Sequence, residues 1–372
     1  MKTRRVPTAK IACLLLLAGF AAFCPQPAQA QVADSLARLL KTAPADTNRV
    51  ILLTELAWEI NEIQTDEAGR LLRESIRLAQ KLKFPRGEAV AWNGLGIVEE
   101  IRGNFDQAEK HYQKALELRR KLGALREIAS SLNNLGVLCE LTGRYDSAVI
   151  YHRENLQIQQ QLNDTLRIAR AQFNLAGAHQ EMGMFLEAQG YLTDAQKILE
   201  RRNDLDGIAK VNAQLGHIRF EMGRHKEALE FYAKQLRIRE NLDDPGRLAE
   251  ALTDYANALD ELDSSKTAVR YYLRALKLWE QLDDQPGKLQ VFINLGDAYK
   301  HIGDYPMALY YLRQAEAICL EIDDQISLME VYNTMGDTYS RAGQQQISLE
   351  FVNKFYQLAQ ETKNDRYILG AY

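Results

Sequence analysis

The chain has 372 residues, 46% hydrophobic and 26% charged, which is ordinary soluble usage. With 46 Lys+Arg against 50 Asp+Glu the net charge is −4, a balance that argues against nucleic acid as a partner.

The first thirty residues stand apart. Lys2, Arg4, Arg5 and Lys10 precede an apolar run, Ile11 to Phe23, and Ala28-Gln29-Ala30 supplies the small-x-small pattern of a signal-peptidase site. Residues 1–30 are therefore expected to be a signal peptide cleaved after Ala30, which places the mature chain outside the inner membrane, in the periplasm. The run is shorter than the roughly 20 residues an ordinary membrane span needs. Losing four bases and no acids takes the net charge to −8, and leaves two cysteines, Cys139 and Cys319.

Residues 31–47 read as a leading segment with a short helix, Asp34 to Leu40. Residues 48–85 form a degenerate repeat in which Leu56-Ala57-Trp58 and Ala68 mirror a pattern that is explicit downstream. From residue 86 to 365 seven units follow with a period of 40: Leu95-Gly96, Leu135-Gly136, Leu175-Ala176, Leu215-Gly216, Tyr255-Ala256, Leu295-Gly296 and Met335-Gly336. A repeat array overrides the two or three globular domains that length alone suggests, because its units stack into one continuous body.

In the unit Arg86 to Leu125, apolar residues at helical spacing cover Glu88 to Arg102 and Phe105 to Leu122, with Gly103-Asn104 between them. Each unit is a predicted helix hairpin. Gly103, Gly143, Gly183, Gly223, Gly303 and Gly343 end the first helices, with Asp263 in that place in the fifth 40-residue unit, a candidate weak joint. The second breaks are polar: Asn163-Asp164, Asn203-Asp204, Asp243-Asp244, Asp283-Asp284 and Asp323-Asp324. Their spacing supplies no further calcium ligands, so they are expected to cap the next helix. Ala108, Ala148, Ala188, Ala228, Ala268 and Ala308 let the paired helices approach, with Tyr112, Tyr232 and Tyr272 filling the space beside them. The aromatics Tyr151, Tyr191, Phe231, Tyr271, Tyr311 and Phe351 are expected to pack between repeats.

Trp92-x-x-Leu95-Gly96 followed by Ala108-x-x-x-Tyr112 resembles the tetratricopeptide repeat. The units are longer than the usual 34 residues, and so resemble the extended repeats of kinesin light chains. That resemblance implies an all-α, right-handed superhelical solenoid of antiparallel helix hairpins. The stretch from Ala33 to Trp58 resembles the starts of periplasmic repeat-bearing sensor regions in bacterial histidine kinases.

In that family the first helices line a concave face, reached by side chains six and three residues before the Leu-Gly glycine and one, four and five after it. Carried onto this chain, the rule selects a partner-binding groove of Asn93, Glu100, Asn133, Glu140, Asn257, Asp260, Asp297, Lys300, Glu330, Asn333 and Asp337. The leading repeats add apolar Val90, Ile97, Ile101, Val137 and Leu141. Acids outnumber bases further along, which suits a protein or peptide partner with a basic segment; the alternative is a solvated acidic face with no ligand.

His111, His152, His179, His217, His225 and His301 show no metal-ligand spacing and are expected at the surface or in the groove. No catalytic residues, cofactor, metal site or small-molecule substrate is expected. The two cysteines lie 180 residues apart in the array and are expected to be free thiols. The function that follows is an exported interaction scaffold, not an enzyme; the alternative is the sensory region of a truncated membrane histidine kinase or related signalling protein. Residues 366–372 open a further first helix and stop, which favours a longer parent protein.

Overall fold

The computed structural model describes residues 27–362, so the signal-peptide expectation lies almost wholly outside it, as does the stub at 366–372. Seventeen α-helices and no strand occur among the described residues. They form two compact units that divide after Asp204.

In the N-terminal unit α1 (Pro27–Thr42) is followed by four hairpins: α2/α3 (Thr47–Ile60, Thr65–Lys81), α4/α5 (Pro85–Ile101, Phe105–Lys121), α6/α7 (Leu125–Leu141, Tyr145–Gln161) and α8/α9 (Thr165–Glu181, Phe185–Arg201). The C-terminal unit holds four more: α10/α11 (Leu205–Glu221, His225–Arg239), α12/α13 (Pro245–Glu261, Ser265–Leu282), α14/α15 (Gln285–Ile302, Tyr305–Ile322) and α16/α17 (Gln325–Arg341, Gln345–Glu361). The leading helix is longer than Asp34 to Leu40 and runs through the expected cleavage site, because the Ala- and Gln-rich residues before it suit a helix equally well. None of the described helices is long and apolar enough to cross a membrane.

Sequence punctuation sets the helix ends. Proline opens α4, α12, α14 and α15, where its missing N–H and fixed φ cost nothing. At the first turn of each 40-residue unit the glycine adopts positive φ, from +71° to +86°, and Asp263 is forced to +57°. Gly103 N–H bonds to Glu100 O and Asn104 N–H to Glu99 O, which satisfies the last carbonyls of α4.

The acidic pairs serve both ends of a link. Asp283 and Asp323 take the left-handed position, while Asp284 and Asp324 accept from the first-turn N–H groups of α14 and α16. Asp164 and Asp244 cap α8 and α12 in the same way.

Within each unit a first helix packs on its own second helix, and the second helix on the next first helix. The six alanines at position 108 and its 40-residue equivalents are fully buried, and Leu95, Leu135, Leu175, Leu215, Leu295 and Met335 are buried beside them. Cys139 and Cys319 are buried free thiols whose pKa burial raises, that of Cys319 to about 12.

Two points refine these expectations. The periodic aromatics pack against clusters that span consecutive repeats, Tyr151 on one that includes Ala108 and Leu132 and Tyr191 on one that includes Ala148 and Leu175. Their ring partners lie within a repeat: Tyr191 on His179, Tyr271 on Tyr255, Tyr311 on Tyr299 and Phe351 on Tyr339, with centroids 4.9–5.6 Å apart. They clamp the two helices of one hairpin, because residues 12 or 16 apart face each other across the first turn. The histidines are not uniformly surface residues either: His152 is completely buried and His179 nearly so. His152 occupies the place of Tyr112 and Tyr232, and its ring fills the space that Gly136 leaves.

Candidate partner-binding face

In the N-terminal unit the first helices α2, α4, α6 and α8 carry the residues singled out for binding. Asn93 on α4 is only 5% exposed. Its Oδ1 accepts from Arg119 Nη1 at 3.2 Å and from Asn134 Nδ2 at 3.2 Å, so it ties α4, α5 and α6 together instead of offering its amide to a ligand. Asn133 is half-buried and its Oδ1 accepts from Asn174 Nδ2 at 2.9 Å. Asparagine-to-asparagine bonds thus join consecutive first helices.

Glu100 and Glu140, one turn after the Leu-Gly glycines, face inward toward the second helix of their own repeat. Tyr112 Oη donates to Glu100 at 2.6 Å, and burial raises the Glu100 pKa despite that bond. His152 Nε2 stands 3.2 Å from Glu140 Oε1 without forming a hydrogen bond to it.

In the C-terminal unit the first helices α10, α12, α14 and α16 carry a more charged set. Asn257 Oδ1 accepts from Tyr272 Oη at 2.7 Å and from Asn294 Nδ2 at 3.1 Å. Asp260 lies 3.0 Å from His301 Nδ1, the equivalent first helix one repeat on. Lys300 is only 9% exposed and bridges Asp297 at 2.6 Å and Asp337 at 3.3 Å. It is a structural cation of the α14–α16 contact, not an exposed groove base. Arg341 pairs with Asp337 from the same helix at 3.1 Å.

Glu330 on α16 differs from these. No ion pair reaches it among the described residues, and burial together with the charges of Asp297 and Asp324 raises its pKa to about 7. Asn333, one turn further along α16, is exposed. The face therefore holds a partly buried carboxylate without a counter-ion beside an exposed amide. No three His, Cys, Asp or Glu side chains among the described residues stand together as a metal site.

Asp254 lies outside the offset rule, whereas His217 and His301 stand at its positions one and five residues after Gly216 and Gly296. Asp254 on α12 accepts from Gln235 at 3.3 Å and stands 3.6 Å from His217 Nε2; its pKa is raised by burial. In the other repeats its place two residues before Ala256 is taken by Gly94, Asn134, Asn174, Gln214, Asn294 and Thr334, so no periodic acid marks it.

The tetratricopeptide repeat family model matches residues 64–121, 127–201, 207–281, 262–321 and 289–361. No curated protein matches the sequence significantly. Among solved structures, the apo form of the quorum sensor NprR from B. thuringiensis is similar at 14% identity and a TM-score of 0.66, with 88% of this chain and 92% of that one covered. A Rap protein complexed with Competence and Sporulation Factor is similar at 15% identity and 0.56, over 91% of this chain and 99% of that one. BtubC (BKLC) from P. vanneervenii is similar at 22% identity and 0.53, over 60% and 92%. At these identities the likeness is one of fold, and with the family model spanning most of the sequence, the chain belongs to the tetratricopeptide repeat family.

Proposed function

We propose that the chain is an exported protein-interaction module, without catalysis of its own, that holds a protein or peptide segment with basic side chains against the first-helix face of its C-terminal unit. The observation that carries this reading is Glu330, a carboxylate on α16 with like charges near it and no counter-ion. A cationic side chain beside it would relieve the repulsion from Asp297 and Asp324 and would be attracted in turn. The family's stacked hairpins suit extended binding surfaces. The Rap relative complexed with Competence and Sporulation Factor and the quorum sensor NprR support a binding role for this architecture.

Export rests on Lys2 to Lys10, the apolar run to Phe23 and Ala28-Gln29-Ala30. Intact-mass measurement on protein secreted by a native-like host should give an N-terminus at Gln31; a product retaining Met1 contradicts it.

Binding is tested by selection from an unbiased peptide-display library. Enriched segments should carry Lys or Arg, their affinity should fall as salt rises, and Glu330→Gln should weaken them several-fold while leaving the helical signal intact. Enrichment without basic residues, or affinity indifferent to both salt and Glu330→Gln, would sink the reading.

A further inference from the structure

We propose that the cleft between α2 and α4 in the N-terminal unit is an anchoring pocket for one bulky apolar side chain, carried by a peptide segment with a basic residue next to it. The inference rests on the reading of the chain as a protein-binding module but concerns a separate surface from Glu330.

Ile51, Trp58, Phe84, Gly87 and Val90 line a cavity of about 260 Å³. That is below the roughly 300–1,000 Å³ of pockets for whole small molecules and suits a single large side chain. Gly87 keeps the wall thin: a Cβ there would stand 2.5 Å from the Phe84 ring and 2.8 Å from Val50 Cγ1. Ile51 and Trp58, both on α2, are each 43% exposed, so an apolar surface on this first helix is left in water, as at binding sites.

The repeat itself makes this end unlike the rest. Val90 has Ser130, Arg170, Lys210, Glu250, Gln290 and Glu330 as its 40-residue equivalents. One residue past the Leu-Gly position, Trp58, Ile97 and Val137 are followed by Gly177, His217, Asn257, Asp297 and Asp337. Packing between repeats requires no such change, since the polar residues serve as well later in the array.

Charge selects the occupant. Glu55 also lines the cavity, is exposed, and forms no ion pair among the described residues. The bases are engaged: Arg86, which also lines the cavity, pairs with Glu127, and Arg49 pairs with Glu74 at 3.1 Å and donates to the carbonyls of Leu40 and Ala43. The cleft is left apolar and anionic, which complements an aromatic or aliphatic side chain adjoining Lys or Arg.

The test uses synthetic Gly/Ser-rich peptides bearing one Phe flanked by two Lys, with versions that replace Phe by Ala or Lys by Glu. Binding is followed by tryptophan emission, with Trp58→Phe to assign the change among the three tryptophans. The Phe/Lys peptide should perturb Trp58, and Phe→Ala in the peptide or Ile51→Glu in the protein should each weaken binding about tenfold or more. Glu55→Lys should weaken the Lys peptide and favour the Glu peptide. Absence of Phe-dependent binding at millimolar peptide, or binding unmoved by Ile51→Glu and Glu55→Lys, overturns the proposal. So does a dimer of the protein alone that Ile51→Glu dissociates, since the occupant would then be a second copy. Glu330→Gln should leave this binding unchanged, so the two surfaces fail or stand separately.

Discussion

Gly96 on α4 lies against the ring of Tyr112 on α5, so closely that a Cβ on residue 96 would stand 2.5 Å from the ring carbons. Gly216 meets Tyr232 and Gly296 meets Leu312 in the same way. The glycine of the Leu-Gly pair is therefore retained for close approach, against a cost of about 1 kcal/mol for glycine inside a helix. Gly96→Ala should lower stability by about 1–3 kcal/mol through overpacking. Gly190 is the control: it is helical and exposed with nothing near its missing Cβ, so Gly190→Ala should stabilise by up to about 1 kcal/mol. Urea denaturation of both variants checks the contrast.

Asp263 holds a left-handed φ of +57° where six other first turns use glycine. Asp263→Gly should stabilise by about 1 kcal/mol, because the strain of a Cβ in that region is relieved. The buried cluster of α12 to α14 around Leu252, Tyr272 and Leu295 is extensive, so faster hydrogen exchange in the parent should be confined to the turn amides. Exchange that is equally fast along the middle of α12 would contradict this.

Asp324 accepts from the N–H groups of both Ile326 and Ser327 and bonds Ser327 Oγ at 2.6 Å. Replacing it by alanine should cost about 1 kcal/mol, the usual worth of an N-cap. Calcium should leave the melting temperature of the parent unchanged, and a rise on adding calcium would return the acidic pairs to a chelating role.

Glu330 ties stability to pH. Its native pKa of about 7 lies above the ordinary 4.5, so between those values the folded state binds more protons than the unfolded one. Stability should fall as pH rises through that window and level off above it, by about 1–3 kcal/mol in all. Glu330→Gln should remove that fall and leave the variant more stable than the parent at pH 8. Parallel stability profiles for the two proteins would refute the burial and repulsion assigned to Glu330.

The hairpins were legible because the phase of Leu-Gly, alanine and turn glycine repeats without slipping from residue 95 to residue 348. The capping role of the acidic pairs was legible for the same reason. The face was legible only in outline. Asn93 is hidden by Arg119, which reaches it from α5, and Lys300 by Asp337 from the next repeat, and an offset rule applied helix by helix does not register such cross-helix partners. The α2–α4 cleft was foreshadowed by apolar Val90 and Ile97, but its other wall lies in the degenerate repeat, where spacing shifts by one residue and the rule had no purchase.

Site-specific photo-crosslinking tests most directly whether the first helices receive the partner. A photoreactive amino acid at Asn333, exposed on α16, should capture a selected basic peptide, while one at Leu349, 60% exposed on the second helix α17, should not. Crosslinking at Leu349 with none at Asn333 would contradict the account and move the binding surface to the second helices.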